Sequence, residues 1–235
     1  MTDLYILPGL DGTTRMLDTF VAAARAAGFG SVHAIGYPPD QPLGYAELET
    51  FARAALPRHA PFVLLGESFS GPVAIAIAAD PPPNLVGLVL STTFARAPLP
   101  LLAPFAPLTR FAPTRALPTA VLSAVLLGRW SKPELRRTLR AALDEVAPAV
   151  QRARAAAAMR IDVSDRLARI AVPTLILKAN HDRLLRAGAG RQLLAGIANA
   201  RQVALDGPHL LLQTRTDRCA ETVARFTESL GDKAP

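Results

Sequence analysis

Phe62-Val63-Leu64-Leu65-Gly66-Glu67-Ser68-Phe69-Ser70-Gly71-Pro72 is the stretch on which the fold turns. Its first four residues are an apolar run of the kind that forms a strand buried on both faces. After Pro72, Val73-Ala74-Ile75-Ala76-Ile77-Ala78-Ala79 reads as a helix packed on a sheet. Pro72 suits the first turn of that helix, where a missing N–H is not needed. Ser68 stands between strand and helix, with the small residues Gly66 and Ser70 two positions to either side. So sharp a turn brings those flanking residues together. It also strains the middle residue and raises its hydroxyl above the sheet, the pattern of a nucleophile elbow. The six residues Gly66 to Gly71 alone also fit a plain strand-to-helix turn without chemistry.

Outward from this stretch, short apolar runs alternate with helical patterns. Leu4–Leu7, Val32–Ile35, Leu85–Leu90, Thr174–Leu177 and Val203–Leu205 read as further strands. Helices are expected from about Arg15 to Ala27, Tyr45 to Leu56, Gly190 to Ile197 and Asp217 to Leu230. Such alternation predicts an α/β fold, a mostly parallel sheet of about six strands covered by helices on both faces. The alternation stops between Phe94 and Asp165. That stretch carries eight prolines and helical patterns near 117–127, 133–145 and 149–159. It is expected to be a helical lid, residues 94–165, inserted into a core of residues 1–93 and 166–235. Its first part, Leu99 to Leu127, is very apolar. Pro104, Pro107, Arg110, Pro113, Arg115 and Pro118 interrupt it, which argues against a membrane span. Packing onto the core accounts for this apolarity, and Leu99, Leu102 and Phe105 are candidates to line an apolar pocket at the same time.

The 235 residues suffice for one large domain or a domain with an insertion, and half of them are hydrophobic. Cys219 is the single cysteine, so no internal disulfide forms; it reads as a small buried side chain in the last helix. Met1-Thr2-Asp3 runs straight into a strand without a basic region and an apolar stretch of signal type, so a cytoplasmic protein is expected. The net charge of +7 is local. Residues 94–165 hold 11 Lys/Arg against 5 Asp/Glu, and the rest of the chain 15 against 14. Without interleaved aromatics or a recognition motif, this charge does not point to nucleic acid.

A serine hydroxyl needs a base to take its proton, and the base needs a group that fixes its tautomer. Of the four histidines, His33 lies within a strand pattern, His59 in a Pro-rich connection, and His181 directly before an acid. His209, in Asp206-Gly207-Pro208-His209, follows the last strand. A loop there projects over the carboxyl ends of the strands, where Ser68 also stands, so His209 is the candidate base. The acid is expected between serine and histidine in sequence, at the end of another strand. Asp182 fits, following Thr174–Ala179. Asp206 is its competitor, but three residues from His209 in one tight turn it reads as a turn cap. Asp162 and Asp165 read as solvated or capping residues. A tetrahedral intermediate would need preorganised donors for its oxygen. The N–H of Phe69 is one candidate, and the N–H of Leu10 in Pro8-Gly9-Leu10-Asp11-Gly12 the other. Asp11 either stabilises that turn or lines the pocket, where it would discourage anionic substrates.

With these residues in view, the chain resembles the α/β-hydrolases over nearly all its length. The resemblance rests on Leu7–Gly12, Gly66–Gly71, Asp182 after a strand, Gly207-Pro208-His209, and the order Ser…Asp…His. Two features depart from the family's pattern. Ser70 stands where glycine is usual, and Pro8-Gly9 where many members have His-Gly. The chain also begins at what would be the third strand, so the resemblance implies six strands rather than eight. The activity implied is that of a serine hydrolase for esters or thioesters, with an acyl-Ser68 intermediate and no cofactor or metal. The same residues would serve an acyltransferase or a carbon–carbon hydrolase. A non-catalytic ligand-binding protein on this fold is the alternative from another class. The partner expected is a small-molecule ester or thioester, without nucleic acid and without stable membrane insertion. Substrate identity and oligomeric state are not legible.

Overall fold

β3 (Phe62–Glu67) is buried along its whole length, and so is α3 (Gly71–Ala79), which follows it after one turn of 3-10 helix, Ser68–Ser70. The computed structural model describes residues 2–98, 104, 119–185 and 187–231. Around β3 lie β1 (Asp3–Leu7), β2 (Val32–Ala34), β4 (Leu85–Ser91), β5 (Thr174–Ala179) and β6 (Ala200–Leu205). They form one six-stranded sheet in the order β2-β1-β3-β4-β5-β6. Every neighbouring pair is parallel.

Successive side chains of a strand point to opposite faces, so a parallel sheet covered on both sides needs two cores. Phe62 and Leu64 enter one core with α2 (Tyr45–Ala55), α3 and α7 (Ala187–Gly196). Val63 and Leu65 enter the other with α1 (Asp18–Ala26) and α9 (Thr216–Gly231). From β1, the chain winds first to β2 on one side, then to β3 and onward on the other. In such a sheet the crevice at the carboxyl ends of the two strands flanking the switch is the natural ligand site. The loops after β1 and β3 carry Leu10 and Ser68, and both open onto that crevice.

Among the described residues, three α-helices lie between β4 and β5: α4 (Thr119–Leu126), α5 (Pro133–Asp144) and α6 (Pro148–Ala158). The chain leaves and re-enters the core side by side. Ala97 N–H donates to the Ile161 carbonyl at 2.8 Å, and Val163 N–H to the Ala95 carbonyl at 2.8 Å. Among the described residues, no helix is long and apolar enough to cross a membrane. Leu99, Leu102 and Phe105 lie outside the described residues.

Several boundaries differ from the sequence expectation. β6 starts at Ala200 rather than Val203, because pairing with Thr174–Ala179 of β5 extends it. It is one of the two edge strands, and the exposed Arg201 interrupts its apolar signal. The first helix opens as a 3-10 turn, Arg15–Leu17, before α1. α7 begins three residues ahead of Gly190. A short α8 (Leu211–Thr214), unexpected from sequence, follows His209 directly.

Candidate active site

Ser68 has φ of 46°, the left-handed region that a β-carbon disfavours. Its neighbours leave the chain no other path. A Cβ on Gly66 would stand 2.7 Å from the Ala74 Cβ and 3.0 Å from the Ser70 carbonyl oxygen, and a Cβ on Gly71 would collide with Thr93. Thr93 also donates its hydroxyl to the Ser68 carbonyl. Position 66 is thus kept to glycine by the packing of β3 on α3, and position 71 by Thr93 after β4.

Two further loops converge on Ser68. Asn180 N–H donates to the Leu205 carbonyl at 2.9 Å, and His181 N–H to the Gly207 carbonyl at 3.0 Å. The turns after β5 and β6 are thereby stitched together, which sets Asp182 beside His209. His209 Nδ1 lies 2.8 Å from Asp182 Oδ2, and His209 Nε2 lies 2.8 Å from Ser68 Oγ. A carboxylate only accepts, so Nδ1 carries the proton and the Nε2 lone pair faces the serine hydroxyl. The other oxygen, Asp182 Oδ1, accepts the N–H groups of Leu184 and Leu185, both at 2.8 Å. That leaves the carboxylate fixed at both ends. His209 is buried, with a side chain only 3% exposed, so little bulk water competes for these bonds.

Ser68 opens into a cavity of about 300 Å³ between the strand ends and the helices α4 to α6. Leu122 and Leu126 of α4, Leu139 and Leu143 of α5, and Met159 after α6 supply apolar wall. Leu10, Asp11 and Phe69 line it as well. Asp11 also holds its turn, since Oδ2 accepts the Thr13 N–H at 3.0 Å and the Thr13 hydroxyl at 2.6 Å. Burial raises its pKa above the ordinary carboxylate range, and the Thr13 bonds oppose that rise.

Ser70, in place of the usual glycine, is fully buried and bonded at both ends. Its hydroxyl donates to the Pro8 carbonyl, so the Tyr37 hydroxyl, 2.7 Å away, must donate to Ser70 Oγ. Tyr45 donates to the Phe69 carbonyl at 3.1 Å. The elbow and the loop after β1 are therefore bonded directly to each other.

The other singled-out residues sit elsewhere. His33 is exposed and stacks on Tyr5 with centroids 4.7 Å apart, and His59 is exposed. Asp206 is an exposed ion-pair hub rather than a turn cap. Its carboxylate meets Arg129 at 3.1 Å, Arg215 at 3.2 Å and His181 at 2.8 Å. Asp162 caps Ser164 and pairs with Arg96. Cys219 is fully buried.

Sequence reasoning passed over Glu67, Gln213 and Arg154. Glu67 is buried beneath the site and accepts a 2.9 Å bond from the Gln213 amide. Its pKa is pushed up to about 7, first by burial, with Asp11 adding to the rise and the Gln213 bond opposing it. A charged residue ending an otherwise apolar buried strand was the available signal. Arg154 had none, because α6 reads simply as an Ala/Arg-rich helix.

The family model described as serine aminopeptidase, S33, matches residues 19–221. No curated protein matches the chain in sequence. Among solved structures, the enol-lactonase from Burkholderia xenovorans LB400 is similar at TM-score 0.80 and 22% identity, covering 97% of this chain and 91% of that one. A hydrolase from Pseudomonas aeruginosa PA01 gives TM-score 0.79 at 25% identity, covering 96% and 89%. A thermophilic esterase from Thermogutta terrifontis gives 0.79 at 20%, covering 98% and 90%. Sheet order, elbow and a family match over most of the length agree, and the chain belongs to the S33 serine aminopeptidase family of α/β-hydrolases.

Proposed function

We propose that the protein is a serine hydrolase of carboxylic esters or thioesters with an apolar acyl or alcohol group. The observation that carries this reading is the unbroken series Ser68 Oγ, His209 Nε2, His209 Nδ1 and Asp182 Oδ2, with both gaps 2.8 Å, at the wall of an apolar cavity. The enol-lactonase and esterase on the same fold are in keeping with it, since a lactone is a cyclic ester.

In this reading His209 Nε2 takes the Ser68 proton as Oγ bonds to the substrate carbonyl carbon. The carbonyl electron pair moves to oxygen, which the Phe69 and Leu10 N–H groups would stabilise; one such donor is commonly worth about 10²- to 10³-fold in rate. Collapse expels the alkoxide or thiolate, which takes the proton back from His209 and leaves acyl-Ser68. Water then repeats the cycle with His209 as base, releasing the acid. Asp182 holds the ring and supports its charge without itself taking the proton. Residues 94–165 would act as a lid, whose helices α4 to α6 keep the acyl group out of water.

The Ser68→Ala variant is expected to fold, to lose p-nitrophenyl ester hydrolysis to background, and to lose labelling by a fluorophosphonate probe. Undiminished labelling of that variant, or a wild-type protein inert on an ester and thioester panel, would overturn the reading. Turnover confined to aminoacyl p-nitroanilides would move it to amide substrates.

A further inference from the structure

Arg154 of α6 is 1% exposed and among the largest fully buried side chains. Its guanidinium reaches out of the inserted helices into the loop after β1. Nη1 donates to the Asp11 carbonyl at 2.5 Å and, more weakly, to the Leu10 carbonyl at 3.4 Å; Nη2 donates to the Pro38 carbonyl at 3.0 Å. The guanidinium carbon lies 5.6 Å from the Tyr37 ring centre. The turn is shaped around it. Gly12 has φ of 71°, and a Cβ there would run into the guanidinium.

A buried cation is expensive unless it is paired or fully bonded. Among the described residues, Arg154 has no carboxylate at ion-pair distance, and its Nε has no hydrogen-bond partner. Burial lowers its pKa, and attraction from Asp11 recovers only part of the loss. Apolar packing would hold α6 to the core more cheaply. What the guanidinium adds is direction, because a rigid fork bonded to two loops fixes the peptide planes between them. Those planes belong to the loop that carries Leu10.

We propose that Arg154 is a positioning residue that reaches from the inserted helices to hold the Leu10 loop in the geometry needed to receive the reaction's oxyanion. This rests on the acyl-Ser68 reading above. It shares the anchoring of the loop among three ties: Ser70 holds Pro8 to the elbow, the Tyr37 N–H holds the Gly12 carbonyl at 2.8 Å, and Arg154 holds Leu10 and Asp11 to α6. The oxyanion site is then complete only when α6 is docked, so the helices that wall the cavity also set the competence of the loop beneath them.

The experiment compares wild type, Arg154→Lys and Arg154→Met with one p-nitrophenyl ester and with an alkyl boronic acid, which binds serine as a tetrahedral adduct. Lysine keeps the charge but donates from a single point and cannot span Asp11 and Pro38. For a loop displaced by about 1 Å, kcat is expected to fall about 10- to 100-fold with KM nearly unchanged. Boronic acid affinity falls by the same factor as kcat, while binding of an apolar alcohol that forms no adduct does not change. Unchanged kcat in Arg154→Lys, or a loss confined to KM, overturns the assignment even if Arg154→Met fails to fold. Wild type that neither turns over the ester nor binds the boronic acid would instead sink the acyl-Ser68 reading.

Discussion

Ser68 and Glu67 are adjacent in the chain and make opposite demands on their surroundings. The serine needs a polar relay, whereas burial keeps Glu67 protonated to about pH 7 against an ordinary value of 4.5. The folded state binds this proton more tightly than the unfolded chain, so stability falls as pH rises from about 4.5 to 7 and the penalty stays constant above. Over that window, wild type is expected to lose about 3 kcal/mol relative to Glu67→Gln. Urea unfolding of both proteins at pH 4.5, 6 and 8 measures the difference, and parallel profiles would show that the glutamate is ionised throughout. Ser70→Ala leaves the Pro8 carbonyl buried without its donor, a loss of about 1–3 kcal/mol measurable in the same way. That Ser68, Asp182 and His209 would meet was readable in the sequence, because each sits beside a strand end and in an interpretable order. Arg154 was not, because Arg152 and Arg154 look alike until the fold shows which one turns inward.

The elbow shows how far a local pattern can carry. Apolar run, small-x-Ser-x-small and proline give strand, turn and helix within a dozen residues. The close approach behind it is a matter of contact between β3 and α3, and it yields a sharp expectation. Gly66→Ala places a methyl 2.7 Å from the Ala74 Cβ and 3.0 Å from backbone oxygen. That overpacking should destabilise the protein by about 1–3 kcal/mol and cut activity more than the loss of folded protein explains. Thermal melts together with active-site titration separate the two effects. Elsewhere, edge position blurred the pattern. β6 is half solvated, and the polar Arg201 and Gln202 hid its first three residues, while the four residues of α8 are too few for any periodicity.

The sheet as a whole was legible because alternation of strand and helix leaves few alternatives. The cavity was not, since its walls come from both ends of the sequence and from three helices between β4 and β5. Its described lining is mostly apolar. Each methylene buried is worth about 0.8 kcal/mol, so kcat/KM for p-nitrophenyl esters should climb about fourfold per carbon from acetate toward octanoate. A profile that peaks at acetate would show that the acyl chain lies elsewhere.

The separation of 141 residues between Ser68 and His209 has a temporal consequence. During synthesis the elbow emerges long before its imidazole, and strand pairing that distant in sequence forms late in folding. A ribosome-bound or misfolded chain therefore carries an unactivated hydroxyl. Covalent tagging of that hydroxyl reports a finished molecule, and the cell is spared a half-made hydrolase.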